Sequence, residues 1–157
     1  MQIFNSRVAN FTASTANSII EIATIAGHSA MIIEFDVEGD GTTSAYMEAG
    51  LFRVTSIGTG TVQTSVTAVS VEGSASIPTA SSVVGTGAWG TAQATLAANP
   101  VHGFAVNANG QRYFWRANPN LNNAIVIPAG GSVAGTLTMR FSTMPANASA
   151  RLQFAEL

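Results

Sequence analysis

The sequence predicts an all-β fold, a single-domain β-sandwich of the jelly-roll type with about eight to ten strands over residues 1–157. Three observations support this prediction. Val, Ile, Phe, Thr and Ser are abundant, together with 15 Gly in 157 residues, a mixture that favours strands and tight turns. Short runs alternate between apolar and polar residues, and turn signals separate these runs. Because a lone sheet could not cover its apolar face, two packed sheets are expected.

The first four strands are predicted at runs of β-branched or alternating residues: 18–25, 30–37, 50–57 and 61–71. The second run shows the period of two most clearly. Ile33, Phe35 and Val37 share one face, while acidic residues occupy the other. This run ends at a Gly-Asp-Gly turn signal, so we expect it to be a half-buried strand.

Residues 73–92 are predicted to form one long irregular segment. After Glu72 the alternation stops, and small residues, a proline and several glycines follow. This composition is typical of a loop or arm, and its length suits a crossing connection better than a meander. Trp89 lies within this arm. A lone tryptophan on an arm packs on its own domain or inserts into a neighbouring molecule, and we favour the neighbour.

The remaining strands are predicted at six runs: 93–97, 103–106, 111–116, 124–127, 132–143 and 150–156. The dipeptide Asn109-Gly110 lies between the second and third of these runs. Since Asn-Gly is the strongest short-range signal for a two-residue turn, we expect a hairpin there.

The charge content is unusually low. Charged residues make up 9% of the chain, against roughly 25% in an ordinary soluble domain. The net charge is −2, all six basic residues are arginines, and Glu72 is the single charged residue between Arg53 and Arg112. Without a basic cluster, binding to nucleic acid or to a membrane surface is not expected. A nearly neutral surface suits a protein that assembles with neighbours.

The chain contains no cysteine, which excludes disulfides and fits folding in a reducing cytoplasm. Its N-terminus lacks the basic and apolar regions of a signal peptide, so no export is expected. No apolar run reaches the ~20 residues that a membrane-spanning helix needs.

No constellation for catalysis is recognised, and we expect a protein that is not an enzyme. His28 and His102 are the two histidines, and neither lies in a nucleophile motif. The stretch that starts at Asp36 resembles a calcium loop, but its twelfth position, which needs a bidentate acid, is Met47. We therefore expect neither a metal nor a cofactor.

Residues 112–116 carry the densest group of aromatic and cationic side chains. On a strand, Arg112, Phe114 and Arg116 project to one side, and Tyr113 and Trp115 to the other. One interpretation is a core strand with the tyrosine and tryptophan inside. A second places one face in a protein interface. A third, sugar stacking, is suggested by four nearby asparagines: Asn118, Asn120, Asn122 and Asn123.

A series of short motifs runs along most of the chain: Glu34-x-Asp36, Gly39-Asp40, Met47-Glu48, Leu51-Phe52-Arg53-Val54, Tyr113-Phe114-Trp115-Arg116, Asn118-Pro119, Gly135-Thr136-Leu137-Thr138 and Phe154-Ala155-Glu156-Leu157. A glycine-rich segment also follows the strand that holds Arg53. In these features the chain resembles a group of short β-sandwich proteins encoded in tailed-phage genomes and prophages. The wider class that this group resembles is that of the jelly-roll cement, or decoration, proteins of phage heads.

The resemblance implies a virion structural protein, a capsid cement protein that bridges neighbouring major capsid subunits and stabilises the phage head. Its partners would be the major capsid protein and further copies of itself, as trimers or dimers. It would be made in the bacterial host cytoplasm and lie on the capsid surface. Trp89 and residues 112–116 would supply the contacts. The alternatives are a tail or head-fibre module of the virion and a carbohydrate-binding β-sandwich.

Overall fold

The computed structural model describes residues 2–11, 18–58, 68–71, 81–84, 94–130, 135–143 and 147–157, with residues 10, 11 and 81–84 described by their backbone. These residues form twelve strands. In chain order they are β1 (Gln2–Phe11), β2 (Ser18–Thr24), β3 (Ala30–Asp40), β4 (Tyr46–Ser56), β5 (Val69–Ser70), β6 (Ser81–Val84), β7 (Thr95–Leu96), β8 (His102–Asn107), β9 (Asn109–Arg116), β10 (Ile125–Ile127), β11 (Thr136–Thr143) and β12 (Ala148–Glu156).

The strands form two six-stranded sheets. In sheet A the order is β10–β3–β12–β1–β5, and β9 pairs with β3 on the same edge as β10. In sheet B the order is β6–β2–β11–β4–β7, and β8 pairs with β4 on the same edge as β7. All of these pairings are antiparallel.

The eight principal strands follow the jelly-roll order. β1 pairs with β12, β2 with β11, β3 with β9 and β4 with β8, so the chain forms a long antiparallel ribbon. Successive pairs of this ribbon alternate between the sheets, and the pairings of β12 with β3 and β11 with β4 complete each sheet. The orders β1–β12–β3–β9 and β2–β11–β4–β8 are those of a jelly roll. The predicted fold class is therefore confirmed.

The core lies between the sheets and is built from the inner face of each strand. Along β12, Ala150, Leu152 and Phe154 are buried, whereas Arg151 and Gln153 between them are partly exposed. Burying a large apolar side chain contributes about 1.5–3 kcal/mol. The largest fully buried side chains are Phe4, Phe35, Phe141, Phe154, Ile19, Ile20, Ile22, Ile32, Met47, Leu51, Ile127 and Leu137.

The twelve described strands exceed the predicted eight to ten, and two of them, β1 and β6, are not among those predicted. The sequence pattern does not predict β1, because the buried hydroxyl residue Ser6 interrupts the apolar residues on its inner face. Within the predicted arm 73–92, Ser81–Val84 forms β6 and pairs with β2. The rest of the arm, including Trp89, and residues 61–67 of one predicted strand lie outside the described residues.

The hairpin predicted at Asn109-Gly110 is a crossing between the sheets, so that prediction is wrong. β8 pairs with β4 in sheet B, whereas β9 pairs with β3 in sheet A. Gly110 does have the positive φ, 72°, that such a dipeptide favours. Gly39 permits the crossing, because a Cβ there would lie 2.5 Å from the carbonyl oxygen of Ala108. The two sheets are therefore closely joined at this edge.

Phe35 is the centre of an aromatic cluster at the same edge. Its ring centroid lies 5.5 Å from those of His102 and Phe104, 6.0 Å from that of Tyr113 and 5.3 Å from that of Trp115. These side chains come from β3, β8 and β9, so the cluster packs the two sheets against each other where the chain crosses between them.

We expect Phe35→Ala to lower the free energy of unfolding by about 3–5 kcal/mol, because it leaves a cavity among these rings. The matched control is Phe114→Ala on β9, whose side chain is exposed and whose loss is expected to cost less than about 1 kcal/mol. Urea titration followed by tryptophan fluorescence measures both. Equal losses for the two variants would contradict the position of Phe35 in the core.

Candidate interaction surface

Charged side chains from three strands meet on the outer face of sheet A. The register places Glu34 of β3 opposite Arg116 of β9, and Asp36 opposite Arg151 of β12. Arg116 Nε donates to Glu34 Oε2 at 2.7 Å, and Arg112 Nη2 donates to Asp36 Oδ2 at 2.8 Å. Arg151 binds both acids, donating from Nε to Asp36 Oδ2 at 2.7 Å and from Nη2 to Glu34. These five residues form what we call the ion network.

The two carboxylates of the ion network lie beneath the guanidinium groups. Glu34 and Asp36 are buried, whereas the side chains of Arg112 and Arg116 are 50% and 69% exposed. The hydrogen bond and the charge of Asp36 raise the pKa of Arg112. A buried carboxylate is costly unless it is paired and hydrogen-bonded. The acids therefore hold two arginines in place at the surface, with half or more of each arginine side chain exposed.

Phe114 lies between these two arginines on β9 and is 49% exposed. The guanidinium carbons of Arg112 and Arg116 each lie 5.9 Å from its ring centroid, a distance at which cations attract an aromatic ring. We refer to Arg112, Phe114 and Arg116 as the Arg–Phe–Arg strip. It combines arginine with an aromatic residue, both of which are enriched at protein interfaces, and it lies on a strand at the edge of its sheet.

Tyr113 and Trp115 point into the sandwich, which is the alternation that the sequence predicts for residues 112–116. The hydroxyl of Tyr113 forms a hydrogen bond of 2.7 Å with Nε2 of His102. The Trp115 ring stacks on Phe35. Of the residues predicted to make contacts, the structure thus brings three together on the outer surface and places these two against the core, while Trp89 is outside the described residues.

Two hollows flank the ion network on the same face. One has a volume of about 430 Å³ and lies between Asp36, Arg151 and Arg7. The other has a volume of about 380 Å³ and is bordered by Glu34, Arg116 and apolar side chains. Its apolar lining includes Ile3, Ile33, Ala117, Pro119 and Leu121. One hollow thus adjoins Arg112 at one end of the strip, and the other adjoins Arg116 at the opposite end.

Arg151 and Arg7 are members of this surface that the sequence pattern does not single out. Arg151 binds Asp36 across 115 positions of the chain, and Arg7 lies opposite Arg151 in the β1–β12 register. The local signal at Arg151 is a charged residue between apolar ones, and at Arg7 even this is lacking because Ser6 precedes it. Neither pattern identifies the partner.

The acids of the stretch that resembles a calcium loop include two with structural partners. Asp40, in the stretch that resembles a calcium loop, accepts a hydrogen bond of 2.6 Å from Ser149, and Asp36 binds two arginines. Within the described residues, no group of three or more His, Cys, Asp or Glu side chains could hold a metal ion. His28 is exposed at the turn before β3.

Comparison of the chain with protein-family models, with curated proteins and with solved structures finds no match. In the part of the chain that the structure describes, no helix has the length and apolar character needed to cross a membrane.

We expect Arg151→Met to lower the free energy of unfolding by roughly 2–4 kcal/mol, because it leaves two buried carboxylates short of a partner. The matched control is Arg7→Met, which changes an exposed arginine on the adjoining strand and should shift stability by no more than about 0.5 kcal/mol. Chemical denaturation at pH 7 measures both. A loss for Arg151→Met as small as that of the control would show that the ion network adds no stability.

Burial lowers the pKa of His102 below its usual 6.5, so the unfolded chain takes up this proton more readily than the folded one. The free energy of unfolding should therefore fall as the pH drops below about 6.5. Thermal melts at pH 7.5 and pH 5.5 should show a smaller decrease in melting temperature for His102→Gln than for the original chain. The control variant His28→Gln, which changes the exposed histidine, should show the same decrease in melting temperature as the original chain. If both variants behave alike, the dependence does not come from His102.

Proposed function

We propose that this chain is a virion structural protein, a capsid cement protein of a tailed bacteriophage. The outer face of sheet A would bind neighbouring major capsid subunits, and the protein would stabilise the phage head by bridging them. The observation that carries the proposal is the Arg–Phe–Arg strip, an exposed aromatic ring between two exposed arginines that buried acids hold in place. Such a surface binds protein readily because little side-chain freedom is lost on contact.

Sheet A offers apolar contacts at both of its outer edges. Phe114 lies on β9 at one edge, and Val69 lies on β5 at the other with 64% of its surface exposed. Val69 is opposite Asn5 in the register, so it faces outward as Asn5 does. Two such positions on one rigid face allow a single copy to touch two neighbouring subunits. This arrangement supports a bridging role over attachment to one subunit.

The low charge of the chain supports assembly as well. With 9% charged residues, there is little electrostatic repulsion to oppose close packing of many copies. A specific contact buries on the order of 1,000 Å² or more. Repetition over a shell would turn modest contacts into strong resistance to internal pressure through avidity.

The carbohydrate-binding alternative receives less support from the structure, and copy number would distinguish the tail alternative. A carbohydrate-binding site built on Trp115 would compete with the stacking of that ring on Phe35. The asparagines near it bind one another, since the Asn118 side chain donates to Asn122 and its backbone N–H donates to Asn123. A tail or head-fibre module would use the same surface, but it would be present in few copies per particle, whereas a cement protein would be present in hundreds.

We expect particles that lack this protein to release their DNA at a lower temperature than complete particles do. Adding back the original chain should restore heat resistance, and adding Phe114→Ser should restore much less of it. The control is Ile57→Ser, which changes an exposed apolar residue beyond the end of β4 and should restore it fully. DNA release is followed with an intercalating dye during heating. Unchanged heat resistance of depleted particles would overturn the proposal.

A further inference from the structure

The hydrogen-bonding direction of β9 follows from one bond at its end. Ala117 N–H donates to the carbonyl oxygen of Ile33 at 2.8 Å, and the same register pairs Trp115 with Phe35 and Tyr113 with Val37. In an antiparallel ladder, alternate residues direct both N–H and C=O to the partner strand. Residues 113, 115 and 117 therefore bond to β3, and residues 112, 114 and 116 direct their backbone groups away from it.

The Arg–Phe–Arg strip thus presents its backbone groups at the sheet edge in addition to its side chains. Among the described strands, β9 pairs with β3 alone. An edge of this kind is a template for a further strand unless it is blocked. Charged side chains such as arginine can prevent strand pairing at an edge. Here an exposed phenylalanine lies between the two arginines, and its ring does not prevent pairing but offers an apolar contact to a partner.

We propose that the free edge of β9 binds an extended segment of the partner protein as an added strand, and that this segment has the pattern acidic–x–apolar–x–acidic. The inference rests on the proposed function and names the chemistry of the partner. Residues directly opposite each other on neighbouring strands are close enough to pair on one face. An added strand would place three alternate side chains beside Arg112, Phe114 and Arg116.

The rows of side chains across sheet A determine which residues fit these positions. One row runs from Glu38 to Arg112, and another from Glu34 to Arg116, and each ends at the open edge. An acid on the added strand would continue the alternation of charge in both rows. The row between them runs from Asp36 to Phe114, so an apolar side chain fits beside the ring.

A second copy of the chain fits this edge poorly in the register centred on Phe114. Antiparallel pairing of two β9 strands about Phe114 would place Arg112 of each copy opposite Arg116 of the other. Like charges directly opposite each other are destabilising. The guanidinium group has five N–H donors, and Arg112 uses one contact with Asp36. The remaining donors favour an acidic partner over another β9 in that register.

The test uses a capped peptide, Thr-Glu-Thr-Val-Thr-Glu-Thr, whose pattern reads the same in both directions, so either strand orientation forms the same rows. Calorimetry should show that the original chain binds it at least about tenfold more tightly than a peptide with lysine in place of glutamate. N-methylation of one alternate set of peptide residues should weaken binding about tenfold, and methylation of the other set should not. This difference is specific to strand addition.

Protein variants test the edge of β9 itself. Phe114→Pro removes an N–H that points away from β3, so the variant should fold and bind the peptide about tenfold more weakly than Phe114→Ala. Should the proline variant fail to fold, the paired N-methylated peptides decide the matter on the original chain. Equal affinity for acidic and basic peptides, indifference to N-methylation, or no binding at millimolar peptide would each overturn the inference. If the peptide binds but particles that lack the protein resist heating as well as complete ones do, strand addition is supported and the cement role is contradicted.

Discussion

The alternation of side chains along β3 is the constraint on which the rest of the structure depends. Phe35 points inward to the aromatic cluster, and Glu34 and Asp36 point outward to the arginines of β9 and β12. A slip of one residue would place the carboxylates in the core and the phenyl ring in the ion network. Because β3 lies between β12 and β9, it fixes the register of both neighbours. The inner face of β3 therefore contributes to the core, and its outer face contributes to the ion network.

The few charges of this chain are concentrated in structural roles. Three of its six arginines belong to the ion network on sheet A. Two others reach backbone carbonyls, since Arg53 donates to Val126 at 2.6 Å and Arg140 donates to Ala94 at 3.1 Å. A scattered surface ion pair adds little to stability, whereas a network over buried acids fixes geometry. On the outer face of sheet A, three arginines are thus held in place over two buried acids.

A docking surface on an edge strand needs both accessibility and order. The strip on β9 has its arginines bound from below by acids and its ring flanked by guanidinium groups, so its side chains would lose little freedom on binding the proposed partner. Tyr113 and Trp115 hold the same strand from the inside through His102 and Phe35. The strand is therefore fixed on its inner face, whereas Arg112, Phe114 and Arg116 are exposed on its outer face and, among the described strands, β3 alone pairs with it.

The sequence by itself determined the β class, the position of most strands and the division of residues 112–116 into two faces. These features are local, because side chains alternate with a period of two along any strand. Only the tertiary structure decided that β1 is a strand, that the turn near Ala108 crosses between sheets, and that Arg151 lies over Asp36 from 115 positions away. Strand partners are selected by the packing of the whole core. A short stretch of sequence records which way a side chain points but not which distant strand lies beside it.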